Sequence, residues 1–184
     1  MRRRRLFLLM AALAATSAPS RAEQIVPLSG CYERVYDAAW LKAHRGQIVQ
    51  RVKLSVVKTA APETPGDKQP ILADAMLAVW PGPRAFTTIG ACYWEREGLV
   101  CTAAFPAEEA PLCKTPEEGV RDCRLSKTDS GSFELAQKPQ GLMVTVRERL
   151  ELTRPQGGAY LYLGPGDPQN HNFLLQPLPE AACK

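Results

Sequence analysis

The stretch Gly90, Ala91, Cys92, Tyr93, Trp94, Glu95, Arg96, Glu97, Gly98, Leu99, Val100, Cys101, Thr102 carries the reading of this chain. Ala91 to Trp94 and Gly98 to Thr102 have the composition of two strands around the turn Glu95 to Gly98. A tight turn there sets Cys92 opposite Cys101, at the separation a cross-strand disulfide needs. The stretch therefore predicts a stapled antiparallel hairpin.

Working outward, Cys113 and Cys123 follow within the next two dozen residues, while Cys31 and Cys183 stand near the two ends. Six cysteines allow many pairings, and sequence alone does not separate them. With Cys92–Cys101 taken first, Cys113–Cys123 and Cys31–Cys183 follow by elimination. The last would close a loop worth about 5 kcal/mol on the chain-entropy model. A nested arrangement, Cys92–Cys123 with Cys101–Cys113, stays open. The cysteines are too far apart for the Cys-x2-Cys ligand pairs of zinc ribbons, so no metal site is expected.

The N-terminus explains why disulfides are expected at all. Arg2 to Arg5 precede an apolar run from Leu6 to Ala15 and a small polar tract ending Ser20, Arg21, Ala22, the anatomy of a cleaved secretory signal. Residues 1–22 are read as the signal and 23–184 as one β-rich domain, periplasmic or secreted. The apolar run is too short to serve as a membrane anchor. The arginines also fit a loose twin-arginine pattern, so the export route stays open. The full chain carries 23 basic and 19 acidic residues, but five of the basic ones lie in the signal. The remainder is close to neutral, with no basic field to recruit nucleic acid or anionic lipid.

The rest of the chain alternates. Cys31 to Tyr36 suits a first strand, followed by a short helix capped by Asp37, running from Ala38 to His44 and stopped at Gly46. A longer helix starting at Glu33 is the rival reading. Ile48 to Lys58 is a half-buried strand, Thr59 to Pro70 a loop, and Ile71 to Trp80 an apolar strand ended by Pro81, Gly82, Pro83. Arg84 to Trp94 and Gly98 to Phe105 form the cysteine hairpin. Residues 106–122, rich in Pro and Glu, read as a long exposed loop. Phe133 to Gln137 and Gly141 to Leu152 make a further hairpin, and Ala159 to Leu163 and His171 to Gln176 are the last strands. This pattern predicts an all-β fold, an antiparallel sandwich or small barrel of about eight strands with one short N-terminal helix, stapled by disulfides.

The run Cys31, Tyr32, Glu33, Arg34, Val35, Tyr36, Asp37, Ala38, Ala39, with Leu41, His44, Gly46 and Gln47 after it, resembles the opening of a family of small exported bacterial proteins. Phe173, Leu174, Leu175 and Cys183 resemble that family's close. Arg45 stands where the family has proline and Trp40 where it has histidine. The family's mid-chain Cys-Asp-Gly-Gly segment reads Cys123, Arg124, Leu125, Ser126 here, so the resemblance is confined to the two ends. It implies a periplasmic, disulfide-bearing, β-rich domain and brings no assigned activity.

Residues suited to chemistry are few. His44 is expected as a helix C-terminal cap. His171 follows Asp167 and Asn170 in a Gly/Pro/Asp/Asn loop, whose composition suits a turn better than a calcium site. Glu148 is the one acid on the core-side parity of Gly141 to Leu152, a position that marks either a buried carboxylate of raised pKa or a strand bend. Nucleophile-elbow, phosphate-loop and zincin motifs are missing. No cofactor is expected. Trp80, Tyr93, Trp94, Tyr160 and Tyr162 lie on or beside strands and could bind a saccharide or protein if they face outward, or form core if inward. The leading expectation is a monomeric, non-catalytic domain for a protein or cell-envelope partner. A lysozyme-inhibitor-like protein is one alternative, although the Ser-Gly-x-x-Tyr loop of such inhibitors reads Ser130, Gly131, Ser132, Phe133, Glu134 here. A small envelope hydrolase built on Glu148, His44 or the Asp167 to His171 loop is the other.

Overall fold

The computed structural model describes residues 28–63, 70–96, 98–104, 114–115, 119–120, 130–155 and 159–183. Its strands are β1 (Gly30–Val35), β2 (Arg51–Glu63), β3 (Ile71–Trp80), β4 (Phe86–Glu95), β5 (Gly98–Ala104), β6 (Lys114–Thr115), β7 (Gly119–Val120), β8 (Ser132–Lys138), β9 (Gly141–Val146), β10 (Leu150–Thr153), β11 (Tyr160–Leu163) and β12 (Asn172–Leu178). One helix, α1 (Ala38–Ala43), lies between β1 and β2, and a 3-10 turn (Glu180–Cys183) follows β12.

Eight of the strands close a barrel in the order β1-β2-β3-β4-β5-β8-β9-β12, every pairing antiparallel, with β12 returning to β1. Of the two architectures open to the sequence, the barrel is the one formed. Alternation sets its inside and outside. Val52, Leu54 and Val56 of β2 are buried while Arg51, Lys53 and Ser55 between them are not. The same parity sends Leu77 and Val79, Phe133 and Leu135, Leu142, Val144 and Val146, and Phe173 and Leu175 into the interior. Each large side chain fully buried this way contributes about 2 kcal/mol. A one-residue slip of any strand would lose its whole set, so the register is firmly held. Eight strands leave just enough room for side chains to fill the inside. Apolar residues inside and mainly polar ones outside is the reverse of a lipid-embedded barrel, although Val57, Met76 and Ile89 are exposed on the outer wall. No helix among the described residues is long and apolar enough to cross a membrane.

Cys92 and Cys101 are cross-strand partners on the inward face of β4 and β5, joined by a disulfide with Cα atoms 4.0 Å apart and no solvent exposure. Pairing runs on to Glu95 and Gly98, with Arg96 in the left-handed region at φ 54° as a tight hairpin requires. Cys31 is also disulfide-bonded. The Cys113–Cys123 pairing and the side chain of Cys183 lie outside the described residues.

The helix is the shorter of the two expected. Glu33 to Val35 stay in β1, and Asp37 caps α1 by accepting from the Trp40 amide at 2.7 Å.

Three sequence expectations need correction. β2 runs on to Glu63 through an irregularity after Lys58, because β3 offers partners as far as Ile71, so the loop predicted from Thr59 begins later. Within the loop predicted over 106–122, β6 and β7 pair antiparallel. The long strand predicted from Gly141 to Leu152 breaks at Arg147 to Arg149. There the amides of Arg147 and Glu148 both donate to the Ser132 carbonyl, at 3.0 and 3.3 Å. Two residues facing one is a β-bulge, and it redirects the chain. β10 then leaves the barrel wall to pair with β11 and, at Thr153, with Thr87 of β4. β5 covers β4 only from Ile89 onward, so β10 continues along the edge that β5 leaves open.

Candidate functional site

Of the two readings of Glu148, a buried carboxylate or a strand bend, the bend is the one formed: the bulge turns Glu148 outward, where it is exposed and accepts from the Ser132 hydroxyl at 3.0 Å. His44 caps α1: its amide and its Nδ1 both approach the Trp40 carbonyl, each at 2.9 Å. Asp167 is engaged by its own loop. Its Oδ1 accepts from the amides of Gln169 and Asn170 at 3.0 and 3.2 Å, and its Oδ2 from the Asn170 side chain at 2.8 Å. The His171 Nδ1 lies 2.5 Å from the Asp167 carbonyl. Neither of the two clefts lined by described residues contains His44, Glu148, Asp167 or His171. Among the described residues no group of three or more His, Cys, Asp or Glu could hold a metal ion.

Asn170, read from the sequence only as part of the Asp167 to His171 turn, has a wider structural role. It is fully buried and fastens the 164–170 loop to the segment after α1. Its Oδ1 accepts from the amides of Ile48 and Val49 and from the Gln47 side chain, at 3.0, 3.2 and 3.3 Å, while its Nδ2 donates to the Gly46 carbonyl at 2.7 Å.

The predicted aromatic residues divide. Trp80 is half-buried, with the Arg51 guanidinium 4.7 Å from its ring centre, and Arg51 also pairs with Glu33. Trp94 packs against the core and donates from Nε1 to the Arg96 carbonyl at 2.9 Å. Tyr93 is half-buried on the same hairpin. Nearby, Arg147 bridges Glu95 and Glu134 in a shallow cleft, and the hydrogen bond it donates to the Glu95 carboxylate holds its guanidinium the more firmly protonated.

Tyr160 and Tyr162 are different. β11 alternates Tyr-Leu-Tyr-Leu, and Leu150, Leu152 and Leu163 of the β10–β11 ribbon sit in the core. The tyrosines point the other way, 49% and 44% exposed, with ring centres 6.5 Å apart and planes inclined by 22°. The Arg149 guanidinium lies 4.0 Å from the Tyr162 ring centre. Packing requires only that these two positions be outward; it does not require them to be aromatic.

A second aromatic ledge stands at α1. Trp40 stacks on His44, with ring centres 3.9 Å apart and planes at 11°, and Tyr36 lies 5.8 Å from Trp40. Arg34 approaches both the Tyr36 and Trp40 rings, at 5.1 and 5.8 Å. The i, i+4, i+8 spacing of Tyr36, Trp40 and His44 is the signal that would have found this stack.

The Ser130 to Phe133 segment, where the inhibitor resemblance would require a projecting loop, is tied down instead. Ser130 and Ser132 are buried, Phe133 is in the core, and the Gly131 carbonyl accepts from the Ala103 amide.

The fold and these surfaces define a closed eight-stranded antiparallel β-barrel with an apolar interior and a ribbon of outward aromatic and arginine side chains. Comparison with known proteins finds no matching family, no similar curated protein and no similar solved structure.

Proposed function

We propose that this chain is a non-catalytic binding domain of the periplasm that docks a protein or cell-envelope component on the outer face of the β10–β11 ribbon. The observation that carries the proposal is the exposure of Tyr160 and Tyr162, side by side with ring planes inclined by 22° on a ribbon the barrel does not need for closure. Tyrosine and arginine together give large rigid contact area, hydrogen bonding and charge at low entropic cost, the chemistry of interface hot spots. A β-ribbon whose inner leucines are anchored in the core presents them without having to order on binding. The secretory N-terminus and the buried Cys92–Cys101 disulfide support the export half of the reading.

The test is co-sedimentation with purified peptidoglycan sacculi, together with cross-linking in intact periplasm followed by mass identification. Each is run on the wild type and on the Tyr160→Ala/Tyr162→Ala double variant. The variant should fold normally and bind at least about 30-fold more weakly, as expected for hot-spot residues. Equal binding by wild type and variant, or no saturable partner in either assay, would sink the proposal.

A further inference from the structure

The turn that joins β3 to β4 and Arg154, just past the end of β10, meet in a cleft of about 370 Å³, lined by Pro81, Gly82, Pro83, Arg84, Phe86 and Arg154. Both segments are basic and contain no acid. Pro81 to Phe86 contributes Arg84, and Arg154 to Ala159 contributes Arg154, with no Asp or Glu in either stretch. Outside the signal the chain is close to neutral, so this local excess is not a general property of its surface.

Among the described residues no ion pair compensates either arginine. Elsewhere on the barrel Arg51 pairs with Glu33, and Arg147 with Glu95 and Glu134. No carboxylate is among the described residues that line this cleft. The Arg154 guanidinium lies 5.1 Å from the centre of the Phe86 ring, which gives its plane a fixed wall. Its Nε is buried and has no hydrogen-bond partner among the described residues. An unsatisfied buried donor on a charged group is unfavourable, and an oxyanion is the partner that satisfies a guanidinium best. Pro81, Pro83 and Phe86 add apolar surface suited to the C–H face of a ring.

We propose that this cleft binds the carboxylate or phosphate of a sugar-sized acid, with Arg84 and Arg154 as the two anion contacts and Phe86, Pro81 and Pro83 as the walls. The site goes beyond the tyrosine face and does not depend on what docks there.

The test is a ¹H–¹⁵N NMR titration of the exported domain with glucuronate, with glucose 6-phosphate and with neutral glucose. The proposal expects saturable shifts at Gly82, Arg84 and Arg154 with at least one acid and none with glucose, and affinity that falls with added salt. Response to glucuronate alone assigns a carboxylate ligand, response to glucose 6-phosphate alone a phosphate ligand, and response to both a general oxyanion site. Arg84→Gln, at an exposed position outside the core, should weaken binding about tenfold or more with unchanged thermal unfolding, and Arg154→Gln should do the same. The inference is overturned if neither acid shifts these residues, if glucose shifts them equally, or if Arg84→Gln binds like the wild type. Tyr160→Ala/Tyr162→Ala should leave the acid titration unchanged, which separates failure of this site from failure of the tyrosine face.

Discussion

The side-chain oxygen of Asn170 lies 3.2 Å from the amide nitrogen of Val49, across 121 residues of chain. Both residues are fully buried. The contact joins two irregular segments, and the Val49 amide it satisfies is buried. Asn170→Ala should therefore cost about 3 kcal/mol, since it strips the Ile48 and Val49 amides and the Gly46 carbonyl of a partner at once. Urea unfolding of wild type and variant measures it, and a loss below about 1 kcal/mol would mean that the loop contributes little to the folded barrel.

The Cys92–Cys101 bridge closes a loop with a sequence separation of 9. On the chain-entropy model such a loop is worth about 2.5 kcal/mol. The Cys92→Ala/Cys101→Ala variant should lose roughly that amount, with a further contribution from the gap left in the core. Calorimetry of the oxidised protein and the variant separates this from an inert bridge, which would leave the unfolding temperature unmoved.

Gly131 has φ +79°, and a Cβ there would stand 2.1 Å from the Arg149 carbonyl oxygen. The bulge after β9 brings that carbonyl close, so no side chain fits. Gly131→Ala should destabilise by about 3 kcal/mol or more. Gly82→Ala, where a Cβ meets nothing within 4 Å, is the control and should stay within about 0.5 kcal/mol of wild type. Similar losses in both would contradict the bulge geometry.

Burial raises the hydroxyl pKa of Tyr36 above its ordinary 10.0, against a smaller lowering by Arg34, and burial raises that of Tyr32 as well. The folded state therefore keeps these protons when the unfolded chain has released them. Below pH 10 both states are protonated and the contribution to stability is fully present. It is lost as pH rises from the unfolded value through the raised folded values. Urea midpoints should fall between pH 9.5 and pH 11, both values chosen to bracket the ordinary tyrosine range, roughly 10. Tyr36→Phe should flatten part of that fall, and an unchanged slope would place the titration elsewhere.

How far the candidate sites could be read from sequence depended on the reach of the interactions that make them. The parity of Tyr160 and Tyr162 was visible, but either face of β11 could have been the inner one until Leu161 and Leu163 had a core to enter. Glu148 stood out of register in the sequence, which allowed a buried carboxylate or a strand bend, and the bend is fixed by the Ser132 carbonyl on a neighbouring strand, which no local pattern shows. Asn170 looked like one more loop residue, since its partners lie more than 120 positions away. Arg84 and Arg154 showed no pattern in the sequence, because the cleft between them exists only once β10 reaches β4.

The sequence by itself determined most of the strands and the alternation along them, the capped helix and the stapled hairpin, because two-residue alternation, cap chemistry and a tight turn act over a few residues. The tertiary structure decided that the strands close into a barrel rather than stack as a sandwich. It also decided that β10 leaves the wall to present the tyrosines, and that two arginines share a cleft. Those outcomes rest on which strand edges meet, and edge pairing is settled by hydrogen bonds between residues far apart in the chain, where local pattern carries no information.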